Sequence, residues 1–157
     1  RVGQQAPVAA KPAPDRRARM TGAILQKLVA DAAVQVRAAL SDAVAGLPDA
    51  PRELILRLAR DTELAVAAPV LRLSPVLDEA ALLALVEAPT AGFTRRLIAG
   101  RAHLTAPVSE AIAASADSPA IAELLRNDSA AIREATLDRL VEGSTDETAW
   151  QAALARR

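Results

Sequence analysis

Apolar residues recur along this chain in short blocks with helical spacing, and the blocks themselves recur about every 28 residues. Val36, Val66, Phe93 and Ile121 mark the first block of each copy, at steps of 30, 27 and 28 residues. A second apolar block follows each of them. Helix pairs repeated at a near-constant period are typical of an α-solenoid. The pattern therefore predicts an all-α chain: a right-handed solenoid of antiparallel helix pairs, with about four repeats plus terminal helices.

Polar residues with short side chains precede the second block of each copy, where they could accept a hydrogen bond from the first turn of a helix. These predicted N-caps are Asp49, Asp78, Thr105 and Ser129. Pro51 and Pro107 fall where a first helical turn tolerates proline. Pro69 falls inside the first helix of the second copy, where it would bend that helix, or else the helix begins at Pro69.

The ends of the chain differ from the repeats. Residues 1–19 contain three prolines and no helical period, which predicts a disordered arm or linker. Residues 20–157 are expected to form a single helical-repeat domain that opens with a capping helix around Ile24, Leu25 and Leu28. The last predicted helix, residues 146–154, would begin a fifth repeat that lacks its second helix. Because the chain begins with Arg1 rather than Met, we expect it to be part of a longer protein.

Composition narrows the function classes. The chain has no cysteine, which excludes disulfides and thiolate metal sites, and no apolar run long enough for a membrane span. The formal net charge is zero, but residues 1–60 carry 10 basic against 5 acidic side chains and residues 61–157 carry 9 against 14. This balance disfavours a dedicated nucleic-acid binder. We expect a cytoplasmic location.

Catalytic and metal-binding patterns are weak. His103 is the only histidine and precedes a predicted cap, so a polar turn residue is the favoured interpretation over a catalytic base. The acidic pairs at Asp78 and Asp146 lie at helix starts, where negative charge complements the helix dipole. The sequence therefore predicts no catalytic residue, no metal site and no cofactor, and a protein that is not an enzyme.

Arginine makes up 17 of the 19 basic residues. Four of them could align along one surface of stacked repeats and bind carboxylates or phosphates: Arg72, Arg95, Arg96 and Arg101. The favoured alternative is solvation and ion pairing between neighbouring repeats. A local pair of Arg57 with Asp61 is also expected. For Trp150, an interface anchor and a cover over the end of the core are equally supported.

The amino-acid sequence of the repeats resembles that of the bacterial domain of unknown function 2336 family. The matching stretches are residues 36–40, 49–54, 58–61, 66–77 and 98–101, within an overall span of about 21–142. The resemblance implies a HEAT-like repeat in a bacterial cytosolic protein and carries no catalytic residues. Members usually read Ala-Arg-Arg where this chain has Ala99-Gly100-Arg101, so we expect the glycine to loosen that helix end.

The leading functional hypothesis is a non-enzymatic scaffold or adaptor that binds a protein or peptide, with bacterial signalling among the settings it suits. The second hypothesis is a nucleic-acid-binding HEAT-like domain, which the zero net charge and the 1% aromatic content disfavour. The third is a structural module that dimerises through an exposed end of the stack. The sequence leaves the oligomeric state open.

Overall fold

The computed structural model describes Gly3, residues 14–144 and residues 148–156, and its elements in those ranges are all helical. In chain order they are α1 (Pro14–Val44), α2 (Arg52–Ala59), α3 (Leu64–Leu73), α4 (Glu79–Glu87), α5 (Thr94–Ala99), α6 (Ala106–Ala114), α7 (Ser118–Arg126), α8 (Glu134–Gly143) and α9 (Thr148–Leu154). The prediction of an all-α chain is confirmed for the described residues.

The helices pack in two rows. In the first row α1 contacts α3, α3 contacts α5, α5 contacts α7, and α7 contacts α9. In the second row α4 contacts α6 and α6 contacts α8. Each even-numbered helix also packs against the odd-numbered helix that follows it. Contacts therefore run mainly between one helix pair and the next, as the periodic apolar pattern requires.

The core lies between the rows and consists of aliphatic side chains. Helices α2 to α7 each contribute at least one large side chain that is almost completely buried, including Ile55, Leu71, Leu85, Ile98, Ile112 and Ile121. Burying each such side chain stabilises the fold by roughly 1.5–3 kcal/mol. Alanine occupies many of the remaining core positions and lets neighbouring helices approach closely.

Two helices begin with side-chain caps. The Asp78 carboxylate accepts from the backbone N–H of Ala81 at 2.9 Å, as predicted. Asp117 does the same for α7, accepting from Ala120 at 3.2 Å, and the sequence analysis missed this cap. Thr105 holds the N-cap position of α6, but its hydroxyl accepts no cap hydrogen bond.

The predictions of caps at Asp49 and Ser129 were wrong. Helix α2 begins after Pro51, whose extended backbone ends the preceding turn, and α8 begins after Arg133. The Ser129 hydroxyl is used elsewhere, because it donates to Asn127 Oδ1 at 2.7 Å.

Helix α1 is longer than predicted. Two separate helices were expected before Val44, whereas residues 14–44 form one helix of 31 residues. No proline follows Pro14 in this stretch and Gly22 is its only glycine, so nothing interrupts the helix. The helix begins inside the predicted arm of residues 1–19. Except for Gly3, residues 1–13 lie outside the described part, and the division into arm and domain stays a prediction.

The N-terminal half of α1 does not cap the stack as expected. Ile24, Leu25 and Leu28 are all more than half exposed. Only the C-terminal part of the helix, from Val34 onward, packs against the core.

At the other end of the chain, Trp150 covers the core. Its indole Nε1 donates to the carbonyl of Ser118 at 3.1 Å, and its ring packs against the buried cluster. The predicted start of the last helix at Asp146 lies outside the described residues. Pro69 lies inside α3, in agreement with the favoured prediction.

Asp78→Ala should destabilise the fold more than Asp49→Ala. Asp78 caps α4 and accepts from both terminal nitrogens of Arg52, at 3.0 and 3.2 Å, whereas Asp49 caps no helix. Urea unfolding should give a lower midpoint for Asp78→Ala at an unchanged slope, with Asp49→Ala close to wild type. Equal midpoints for the two variants would contradict the cap assignment.

The effect of Asp78→Ala should depend on pH. Hydrogen bonds from Arg52 and then from the Ala81 N–H hold the pKa of Asp78 below its ordinary value. A lowered folded-state pKa stabilises the fold above the unfolded pKa, and that contribution is lost as the pH falls through the folded value. The difference in stability between wild type and variant should therefore shrink below about pH 4.

Ala116→Gly should stabilise the protein. Ala116 has φ of 56° in the turn between α6 and α7, a left-handed conformation that costs an alanine roughly 1–2 kcal/mol. After the extra unfolded-state entropy of glycine, we expect a net gain of about 0.5–1 kcal/mol by thermal or urea unfolding. The matched control is Ala84→Gly on the exposed side of α4, which should lose about 1 kcal/mol. The same sign for both variants would refute this assignment.

Candidate functional site

A groove of about 640 Å³ crosses the first row of helices at α3, α5 and α7. Its apolar lining comes from Leu64, Leu73, Phe93 and Leu97. Leu73 is 66% exposed and Leu64 is 52% exposed, although both are large apolar side chains. Solvent-exposed leucines that line a concave surface are typical of a site that binds an apolar group.

Charged side chains surround this lining. Arg72 lies in the last turn of α3, Arg96 lies in the last turn of α5, and both are exposed. Neither makes a hydrogen bond or an ion pair within the described residues that would occupy its guanidinium. Glu123 of α7 lines the same groove and lies 3.8 Å from Arg126. The groove thus presents two available cations and one carboxylate.

The other two arginines of the predicted site are used inside the fold. The Arg95 Nε donates to the carbonyl of Val86 at 2.8 Å and joins the start of α5 to the end of α4. Arg101 donates to the carbonyls of Leu71 and Ser74, each at 2.7 Å. Burial lowers the pKa of Arg101 below the ordinary arginine value. Of the four predicted residues, only Arg72 and Arg96 remain available in the groove.

Asn127 repeats the role of Arg101 one copy later. Its Nδ2 donates to the carbonyls of Ala99 and Arg101, at 2.8 and 2.6 Å. In both copies a residue at the end of one first-row helix binds the carbonyls at the end of the preceding first-row helix. The sequence analysis missed Asn127. Its position 26 residues after Arg101, directly behind an apolar helix, was the signal that could have found it.

Ion pairs also join successive copies. Arg37 of α1 binds Asp61, with its Nε 2.8 Å from Oδ2, so the predicted pair of Arg57 with Asp61 was wrong. Burial works to raise the pKa of Asp61, but hydrogen bonds from Arg37 and the Glu63 N–H outweigh it and lower that pKa. Arg133 pairs with Glu110 in the same manner further along the chain.

His103 lies in the turn between α5 and α6, as the favoured interpretation predicted. Its φ of 55° is left-handed, its side chain is exposed, and its backbone N–H donates to the Ser129 hydroxyl at 3.0 Å. In the described ranges, no three histidine or acidic side chains lie close enough to hold a metal ion. No helix of those ranges is both long and apolar enough to cross a membrane.

Gly100 ends α5 with φ of −82°, a conformation that any residue adopts. A Cβ at this position would lie 3.4 Å from Glu123 Oε1, which is ordinary contact. The glycine therefore leaves space between α5 and Glu123 on the wall of the groove.

The described residues form an all-helical protein whose short helices pack in two rows and are joined by side chains that bind neighbouring helices. The model of the domain of unknown function 2336 family, described as uncharacterised proteins conserved in bacteria, matches residues 66–157. The chain belongs to this family. The match extends further toward the C-terminus than predicted and begins at α3, so α1 and α2 lie outside it. No curated protein and no solved structure gives a significant match.

Arg101→Ala should cost about 2–3 kcal/mol of unfolding free energy, because it removes charged hydrogen bonds and leaves the carbonyls of Leu71 and Ser74 without their donor. The matched control is Arg96→Ala, which should stay within about 0.5 kcal/mol of wild type because Arg96 is exposed. Chemical denaturation of both variants measures the difference. A loss for Arg96→Ala equal to that for Arg101→Ala would overturn the division of the arginines into two groups.

Proposed function

We propose that this chain is a non-enzymatic interaction module of the bacterial cytoplasm, a right-handed HEAT-like α-solenoid that holds a peptide segment of a partner protein. Three features support the solenoid. Odd-numbered helices contact one another in chain order. Side-chain hydrogen bonds between copies span 24 to 31 residues at Arg37 and Arg101, close to the period of the apolar pattern. Each contact surface lies mainly between neighbours.

The groove along α3, α5 and α7 is the observation that carries the binding function. It combines exposed leucines with two arginines, Arg72 and Arg96, that the fold does not use. Guanidinium groups bind carboxylates in a bidentate geometry, and large apolar side chains gain free energy by leaving water for an apolar groove. The partner that fits is an acidic peptide segment with one or two large apolar side chains.

Nucleic acid fits this groove less well. A polynucleotide would meet the Glu123 carboxylate beside only two available cations, and the single partly exposed aromatic ring of the groove is that of Phe93. Binding of a phosphate backbone depends on many cationic contacts and falls steeply with salt. A nucleic-acid competitor therefore serves as a control in the test.

The test is a selection of random peptides displayed on phage or yeast against the full chain, followed by calorimetry with a synthetic copy of the best peptide. We expect enriched peptides to combine Asp or Glu with Leu, Phe or Trp. Arg72→Ala/Arg96→Ala should weaken binding at least tenfold, since each lost contact is worth about 1 kcal/mol.

The matched control is Arg57→Ala/Arg60→Ala. It also removes two exposed arginines, but these line a separate pocket at α2. It should bind the peptide like wild type. Equal weakening by both double variants would show a general charge effect, and the absence of any enriched peptide would refute the proposal. Displacement of the peptide by short DNA or RNA at low salt, reversed by moderate salt, would favour the nucleic-acid hypothesis instead.

A further inference from the structure

Helix α1 extends far beyond the helix on which it packs. At 1.5 Å per residue its 31 residues span about 46 Å, whereas the 10 residues of α3 span about 15 Å. Only the part of α1 from Val34 onward contacts the core, with Ser41 fully buried. About twenty residues of α1 precede Val34, and none of their described side chains joins the core. A helix of that length without packing is marginal in water.

Exposed apolar residues recur along the middle of this helix. Met20, Ile24, Leu28, Val36 and Leu40 are separated by multiples of four residues, and all five are at least 40% exposed. Exposed Ala32 fills the vacant step between Leu28 and Val36. At 100° per residue each step of four turns by about 40°, so Leu28, Ala32 and Val36 form a ridge on one side of the helix, whereas Met20 and Leu40 lie about 200° apart around the axis. An exposed ridge of this length marks an interaction surface.

The position of α1 indicates what kind of element the ridge accepts. It is the first helix of its row and contacts α3 on one side, while the corresponding helices α3, α5 and α7 have row neighbours on both sides. Within the described residues the other side of α1 has no neighbour in the row, so a further helix of the row would pack there.

A second copy of α1 complements this surface when the two helices run antiparallel. With Ala32 at the twofold axis, Leu28 lies opposite Val36 and Leu25 lies opposite Ala39. These five residues fall within a face about 80° wide at 100° per residue. Each large side chain of the N-terminal half then meets a smaller one of the C-terminal half, and the small Ala32 pair lets the axes approach.

Charge favours the same orientation. Arg16, Arg17 and Arg19 lie near the N-terminal end of α1, and Asp42 lies near its C-terminal end. Antiparallel packing places the basic end of one helix beside the acidic end of the other, and it opposes the two helix dipoles. Parallel packing would place the basic ends side by side.

We propose that the chain forms a homodimer through the exposed ridge of α1, with the two α1 helices antiparallel about Ala32. This surface lies on α1 and is separate from the groove at α3, α5 and α7. Trp150, the alternative anchor for a dimer, is bound within its own chain by a hydrogen bond to the Ser118 carbonyl.

Sedimentation or light scattering of the full chain between about 1 and 100 μM tests the dimer. We expect twice the 16.3 kDa of one chain, falling to a single chain for Leu28→Glu/Val36→Glu. Both residues are more than half exposed, so the fold should survive, as thermal unfolding can check. The matched control is Leu73→Glu/Val141→Glu, which charges two equally exposed apolar residues away from α1 and should remain dimeric.

Disulfide trapping tests the orientation, because the chain has no cysteine of its own. Ala32→Cys should form a linked dimer on oxidation. Leu25→Cys alone should not, since its two copies would lie about 21 Å apart along the helices, whereas a mixture of Leu25→Cys and Ala39→Cys should link. Linking of Leu25→Cys to itself, with or without linking of Ala32→Cys, would overturn the antiparallel arrangement.

Two further results would overturn the dimer itself. One is a monomeric wild type across the whole concentration range. The other is sedimentation of the monomer with vesicles of anionic phospholipid, abolished by Leu28→Glu/Val36→Glu, which would assign the ridge to a membrane surface.

Discussion

The carbonyl groups at the ends of short helices are the constraint on which this fold depends. The last four carbonyls of any helix have no partner within it, and in helices of 6 to 10 residues they are a large share of the backbone acceptors. In the first row, side chains of the next copy donate to these carbonyls. Arg101 binds carbonyls at the end of α3, and Asn127 binds carbonyls at the end of α5. A hydrogen bond that satisfies a carbonyl at the end of one helix also fixes the distance to the neighbouring helix. The same contact therefore pairs the backbone acceptor and sets the spacing of the repeats.

The same constraint divides the arginines by role. Arg95 and Arg101 donate to backbone carbonyls, and Arg37 and Arg52 pair with aspartates about one repeat away. Arg72 and Arg96 have no such task within the described residues, although Arg96 lies directly beside Arg95 on α5. The sequence makes all of these side chains look alike. What separates them is whether a carbonyl or a carboxylate of a neighbouring copy lies within reach.

The period of apolar residues was sufficient to predict helices, their approximate order and the location of the core. The starts of α2 and α8 were not predicted, because Asp49 and Ser129 resemble caps locally while Pro51 and Arg133 set the actual starts. The spacing of four residues also predicted Arg57 as the partner of Asp61. In the structure the partner is Arg37 of α1. Periodicity describes positions within a copy. The contacts that specify the site run between copies, and they require the relative placement of two helices.

The short sequence separation of the bonds between copies has a consequence for synthesis. Arg101, Asn127 and Trp150 each reach back to the preceding copy across 26 to 32 residues. Such contacts carry a small loop-closure cost, so a copy can dock as soon as the next one has left the ribosome. The chain can thus fold in the order in which it is translated, with α1 emerging first and its apolar ridge exposed throughout. On a polysome, two nascent chains would then have their α1 helices available to each other before either stack is complete.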